Sequence, residues 1–308
     1  MTTVVPVGTT EPPAAGAVPV ATPPRRRPGG SAVWWRHLVG LAALVFALFP
    51  IVFLVSAALN PVGTLSTTTL LPHGASLHNF HKLLADGNNP YLRWYANTLV
   101  ICGTSAVLNV LIGASGAFAF SRLRFRGRRP GLIAVLLVQM FPNFIAIVAL
   151  YLVFIQIGAV FPAAGLNTSL GLILVYLGGA MGVNTWLLKG YLDTIPRELD
   201  ESALIDGATH AQVFFRITLR LAAPMLVVVG LFSFVASLNE ILLANVFLTD
   251  TSQKTLAIGL FGLVSGEHNT DYGEFAAGSL LAGLPVILIY LYLQKFLVNG
   301  LTAGAVKG

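Results

Sequence analysis

From Leu38 to Leu59 the chain runs for 22 residues without a charge. The hydrocarbon layer of a bilayer is about 30 Å thick, and roughly 20 apolar residues of helix are needed to cross it. Five further stretches meet that requirement: about Trp94 to Phe120, Gly131 to Ile157, Thr168 to Leu188, Ala222 to Leu248 and Phe275 to Val298. Only 10% of the residues are charged and the mean hydropathy is +0.79, whereas a soluble domain carries about a quarter charged residues. The reading is an all-α polytopic membrane protein with six transmembrane helices over residues 34–298. Pro142 marks an expected kink in the third span, and Gly103, Gly113 and Gly116 suit close helix approach in the second.

The ends and loops carry the remaining information. Residues 1–33 are rich in Pro, Gly, Ala and Thr without periodicity, and read as a disordered tail ending near Arg25, Arg26 and Arg27. The first span exceeds a signal-peptide core and reads as a retained helix. Fifteen of the 18 Lys and Arg residues fall in four regions: the N-terminal region, the Arg122–Arg129 loop, the central polar stretch with Lys189 before it, and the C-terminal region, where Lys295 precedes and Lys307 lies within the tail at 299–308. The other loops hold only Lys82, Arg93 and Lys254. Basic residues concentrate on the cytoplasmic side, so both termini and the central stretch are placed inside. The charge of +6 therefore reports topology, not nucleic-acid binding. Cys102 stands alone, which excludes an intrachain disulfide and a thiolate metal cluster. His73, His78 and His81 share a polar loop but lack the i, i+4 pairing of a metal helix. They read as solvated residues, and neither metal nor cofactor is expected.

The central stretch, Pro196 to Pro224, lies between two apolar spans. Pro196 suits the first turn of a helix, and the acidic residues after it suit the positive end of the helix dipole. Gly207 is a natural C′ stop, with a second short helix expected from Ala208 to Ile217. This elbow, within 193–220, is either a membrane-skimming connector or a docking element. Skimming helices usually carry Lys or Arg toward anionic headgroups, yet Asp193 to His210 holds five carboxylates against Arg197. That balance favours docking to a cytoplasmic protein with basic groups.

The residues of the elbow resemble a known signature. Glu201-Ser202-Ala203, three residues, Gly207, nine residues and Ile217-Thr218-Leu219 follow the EAA-x3-G-x9-I-x-L-P motif of ABC importer permeases. The wider stretch ELDESALIDGATHAQVFFRITLRLAAP, with SLNEILLANVFLTD and the terminal LVNGLTAGAVKG, is similar to the carbohydrate branch, of the maltose-type six-helix kind. Ser202 replaces the first Ala, and Arg220 stands where the motif has Pro, which predicts a less sharply bent exit. The resemblance implies a type I importer permease in a bacterial inner membrane, taking a di- or oligosaccharide. It implies a second permease subunit, two cytoplasmic ATPase subunits and an extracytoplasmic solute-binding protein. Glu201, Ser202, Ala203, Asp206, Gly207 and Ile217 would form the ATPase contact, Glu201 by a polar interaction and Gly207 by its turn. ATP hydrolysis would belong to the partner, since this chain has no G-x-x-x-x-G-K-[ST] and reads as a transport subunit, not an enzyme.

Glu240, with Asn239, is the carboxylate well inside a span. A charge facing lipid is costly, so it should face the bundle or a water-filled cavity. It reads either as pathway lining or as a hydrogen-bonded pair that locks packing. Asn109, Gln139, Asn143 and Asn184 are further candidates, although intramembrane amides also join helices. In the loop from Thr249 to Tyr272, Leu256 to Val264 is too short to span. By resemblance Leu256, Gly259, Leu260 and Gly262 meet the binding protein; otherwise the piece is re-entrant or interfacial. A secondary transporter using Glu240 as a proton relay, or an importer of a polyol or phosphodiester, is the rival reading.

Overall fold

A computed structural model describes residues 34–62, 74–141, 143–265 and 271–305, and the described residues hold helices but no strand. The N-terminal tail and His73 lie outside them. In chain order the helices are α1 (Trp34–Leu59), α2 (His78–Ala85), α3 (Tyr91–Arg122), α4 (Arg128–Gln139), α5 (Asn143–Val160), α6 (Ser169–Leu177) and α7 (Val183–Leu192). The elbow pair follows, α8 (Glu198–Ile205) and α9 (His210–Leu221), then α10 (Ala223–Asn239), α11 (Leu242–Phe247), α12 (Leu256–Val264) and α13 (Tyr272–Ala305). The chain divides into two compact units, residues 1–49 and 50–308. Within the first, α1 exposes large apolar side chains on every side, including Trp34, Leu41 and Phe46. A helix apolar all round belongs in a lipid environment.

In the second unit α3 is the central post, packing most extensively against α10, α7 and α6. The sequence explains the close approach to α7. A Cβ at Gly113 would lie 3.3 Å from the Ala180 carbonyl oxygen, and one at Gly116 would lie 3.3 Å from Thr185 Cγ2. Gly103 instead faces open space, so it plays no such part.

Three apolar clusters divide the length of α3. At one end Leu83, Tyr91, Trp94, Leu256 and Leu260 pack together. Midway, Ile101, Phe154, Leu172, Phe247 and Leu248 form a second cluster. At the other end Phe118, Leu188, Leu192, Val213 and Phe214 form the third, with the Phe118 and Phe214 ring centroids 5.1 Å apart.

Among the described residues three helices are long and apolar enough to cross a membrane, Trp34–Leu59, Tyr91–Arg122 and Tyr272–Gln294; α9 and α10 make a fourth if their 80° bend is counted as one span. The expected third, fourth and fifth spans are each interrupted. The third stops at Gln139 and resumes as α5 at Asn143, beside the proline that disfavours helix in the residue before it. The fourth breaks between Gly178 and Gly182, where glycine weakens a helix. The fifth breaks at Glu240, whose backbone is extended at ψ 111°. The last helix runs on to Ala305, so Gly300 to Ala305 continue α13 instead of forming a loose tail.

Candidate functional site

The elbow is built from local rules of helix termination. Arg197 is the N-cap of α8, so Pro196 sits just outside the helix. Glu198, Asp200 and Glu201 occupy its first turn, where the helix dipole favours negative charge. At the far end Gly207 adopts φ 88°, a conformation that costs an L-residue about 1–2 kcal/mol. The Ala208 N–H donates to the Ala203 carbonyl at 2.9 Å and the Gly207 N–H to that of Leu204 at 3.1 Å, closing a Schellman turn. Thr209 and Gln212 then form a reciprocal capping box that starts α9.

The second helix begins at His210 and runs through Ile217 to Leu221, passing a π turn at Phe214–Thr218. It is longer than expected, and its exit is sharp: α9 and α10 meet at 80°. Arg220 in place of proline does not soften that bend. Pro224, in the first turn of α10, lacks the N–H that would have continued the ladder.

A polar root fixes this elbow to the end of α3. Arg122 Nε lies 2.6 Å from Asp200 Oδ2, with both side chains almost enclosed. The Arg122 guanidinium also donates to the Ile195 carbonyl at 3.0 Å. Thr218 Oγ1 donates to Asp200 Oδ1 at 3.5 Å, bringing α9 into the same joint. Ser121 Oγ donates to Asp193 at 2.6 Å, and Arg128 and Arg197 both donate to the Ser121 carbonyl. Asp193 is held below the usual carboxylate range: burial works against its charge, but hydrogen bonds from Lys189 and Ser121 outweigh it.

This root revises the charge reading. Of the five carboxylates, Asp200 turns inward and Asp193 is taken up at the base, leaving Glu198, Glu201 and Asp206 exposed. They share the outer surface with Ser202 and with Ile205, which is 87% exposed. Ala203 faces the other way, against the apolar cluster below, and Ile217 is half-buried. The sequence did not single out Arg122 or Asp200 as a pair. Both were counted only as surface charge, although an aspartate three residues before Ala203 on a helix must share its inward face.

The second constellation is a cavity of about 510 Å³ among α3, α4, α5, α6, α7, α10 and α11. Asn109, Gln139, Asn184 and Glu240 line it, joined by Tyr176 and Ser233, which sequence reasoning missed. Asn184 Nδ2 donates to Ser233 Oγ at 3.0 Å, and the Tyr176 hydroxyl donates to Glu240 at 3.3 Å. Glu240 also accepts the Leu243 N–H at 2.9 Å and the Ala244 N–H at 3.0 Å, so its carboxylate caps α11. Asn239 is separated from this group. It lies on a different cavity with Leu238, Ile241 and Leu260, and its amide donates back to the Val235 carbonyl at 2.8 Å. The side chain of Asn143 lies outside the described residues.

The loop helix α12 corrects another expectation. Leu256, Gly259 and Leu260 are buried within the chain, and a Cβ on Gly259 would strike the Trp94 ring. Those three residues are not available to a partner in this conformation; Phe261 and Gly262 are the exposed ones. The segment before α12 is pinned to α3. Trp94 Nε1 donates to the Thr251 carbonyl at 2.7 Å, and Thr98 Oγ1 accepts the Leu256 N–H at 2.7 Å.

Residues 109–302 match the family model described as the binding-protein-dependent transport system inner membrane component. The maltose/maltodextrin transport system permease protein MalG of Vibrio vulnificus is 38% identical over 287 residues, covering 90% of this chain and 96% of that protein. The galactooligosaccharides transport system permease protein GanQ of Bacillus subtilis is 38% identical over 265 residues, covering 86% and 92%. Among solved structures, a bacterial ABC transporter involved in import of the acidic polysaccharide alginate aligns with a TM-score of 0.70 at 23% identity, over 86% of this chain and 95% of that one.

Proposed function

This chain belongs to the inner membrane components of binding-protein-dependent transport systems, and from that premise we propose that it is a permease subunit of an ATP-driven carbohydrate importer. The relatives named above are permeases for maltodextrins and galactooligosaccharides, which supports a di- or oligosaccharide as cargo. The broken helices are grouped into six crossings: α4 with α5, α6 with α7, and α10 with α11 each complete one. Both termini and the elbow then lie inside, following the basic residues. The outer end of α3, with Phe261 and Gly262 of α12, faces a solute-binding protein, and a second permease subunit completes the pathway.

The observation that carries this reading is the two-faced elbow. Its inner face is fixed by a buried ion pair, while its outer face leaves Glu198, Glu201, Asp206 and Ile205 exposed. A rigid lever with an acidic, partly apolar tip suits insertion into a cleft on one ATPase subunit of a pair. Movement of the tip is passed to α3 through Arg122 and to α10 through the bend at Ala222. A carrier relaying protons through Glu240 fits less well, because both carboxylate oxygens are engaged by the backbone of α11.

The test uses the assembled importer in proteoliposomes. A cysteine at Ser202 should crosslink to the ATPase subunit, and Gly207→Val should reduce ATP-dependent sugar uptake by about five- to thirtyfold, since the strained turn costs about 1–2 kcal/mol. Membrane insertion should be unchanged. Crosslinks to lipid alone, or normal uptake by the Gly207 variant, would sink the coupling role.

A further inference from the structure

The cavity beside Glu240 has a property that coupling does not use. Asn109 is only 6% exposed, and its amide oxygen makes no hydrogen bond among the described residues. A buried amide oxygen left without a partner is destabilising, and this one borders a cavity large enough for a small-molecule ligand, for which about 300–1,000 Å³ is typical. Close by, Ser233 is also 6% exposed and accepts from Asn184, which leaves its own O–H to donate. The Asn184 amide oxygen and the one remaining lone-pair site of Glu240, on Oε1, give further acceptor capacity.

The lining is as informative for what it lacks. None of its residues is Lys, Arg or His, and Glu240 is its one carboxylate. Phosphate or carboxylate on a solute would meet a like charge with no cation to compensate. Hydroxyl groups, by contrast, would donate to the orphan amide and to Glu240. The rings of Phe232 and Tyr176 on the same walls give apolar faces for the C–H side of a sugar.

Building on the carbohydrate-import reading, we propose that this chain carries its own transit subsite for a neutral, hydroxyl-rich sugar ring, formed by Asn109, Tyr176, Asn184, Phe232, Ser233 and Glu240, and that the site rejects anionic saccharides. It is a selective element inside the membrane, separate from whatever selection the external binding protein makes. Asn109 supplies an acceptor that is satisfied only when a sugar hydroxyl is present. Glu240 sets the charge rule.

The experiment places a reporter thiol at Ser237, on the cavity wall, in the full importer with its companion subunits in nanodiscs. Cys102 is fully enclosed and serves as the silent background. Modification of Ser237→Cys by a hydrophilic methanethiosulfonate is timed in nucleotide-free and ATP-trapped complexes. Maltose and galactobiose are the neutral probes, and digalacturonate the anionic one. At least one neutral disaccharide should slow modification in one of the two states, and digalacturonate should not. Asn109→Leu, which removes the orphan amide at similar volume, should weaken that protection about fivefold, the worth of one hydrogen bond. Glu240→Gln should allow digalacturonate to protect.

Equal protection by neutral and anionic sugars would overturn the charge rule. No protection by either neutral sugar, in a complex that imports one of them with ATP, would overturn the subsite and leave the importer intact. Absence of ATP-dependent uptake of both neutral sugars would remove the import reading, and the subsite with it.

Discussion

The elbow root and the membrane cavity each hold a carboxylate in a largely apolar chain, and they accommodate it in opposite ways. Asp200 is closed in by a guanidinium at 2.6 Å and the Thr218 hydroxyl. Glu240 borders a 510 Å³ cavity and is held by two backbone N–H groups and one phenol. The first arrangement leaves little capacity for anything else and makes a joint between α3, α8 and α9. The second keeps acceptor capacity open toward the cavity and makes a lining. What a buried acid does in this protein is thus set by whether a cation has been built in beside it.

Removing the partner from each carboxylate tests that contrast, and the largest effect is expected at the root. Arg122→Ala leaves Asp200 buried without a counter-charge, a change that typically costs about 3–5 kcal/mol. The detergent-solubilised chain should unfold at a clearly lower temperature and ATP-driven uptake should be lost. Combining Arg122→Ala with Asp200→Ala removes the stranded charge as well, and should recover part of the loss. If the single variant unfolds like the wild type, the pair is not a joint, and the elbow must be fixed by its apolar contacts alone.

A smaller effect is expected from the equivalent deletion in the cavity. Glu240→Ala removes a side-chain cap from α11, worth about 0.5–2 kcal/mol, and strands no opposite charge. The unfolding midpoint should fall by less than in Arg122→Ala, while sugar transport per ATP hydrolysed changes more. The reverse order, with the Glu240 variant the less stable, would make the cavity a packing element and the contrast false.

These two regions were unequally legible in the sequence. The elbow's turn was readable because its signal is local, a glycine after an acidic helix; Thr209 and Gln212 at capping-box spacing went unread, and the second helix was placed two residues early, at Ala208. Glu240 stood out because a carboxylate inside an apolar span needs an explanation. The root escaped because it joins residues far apart in the chain. Arg122 closes a helix whose basic neighbours all served the topology argument, and nothing local marks it as the partner of Asp200. Asn239 and Glu240 looked like one site because they are adjacent, yet the helix ends between them and they face different cavities. Leu256, Gly259 and Leu260 were read either as a binding-protein contact, by resemblance, or as part of a re-entrant or interfacial piece. A nine-residue apolar helix beside Trp94 is better buried, since fully burying each Leu is worth roughly 1.5–3 kcal/mol. The interrupted spans carried partial warning in Pro142 and in Gly178 and Gly179, whose breaking effect depends on neighbours that hydropathy does not describe.

The smallest expected effect lies at the edge of the root, where Asp193 sits between Lys189 and Ser121. Its carboxyl is held below its ordinary value of 3.8, with burial opposing the shift and the two hydrogen bonds outweighing it. A depressed folded-state value means that the ionised form is favoured by folding. Its contribution is therefore fully present above pH 3.8 and is lost as pH falls through the lower folded-state value. Asp193→Asn should flatten that acid-side slope in the unfolding midpoint while leaving the midpoint near neutral pH only slightly lower, because the side chain is partly exposed and its ion pair is screened. The same slope surviving in the variant would place the acid sensitivity elsewhere in the root.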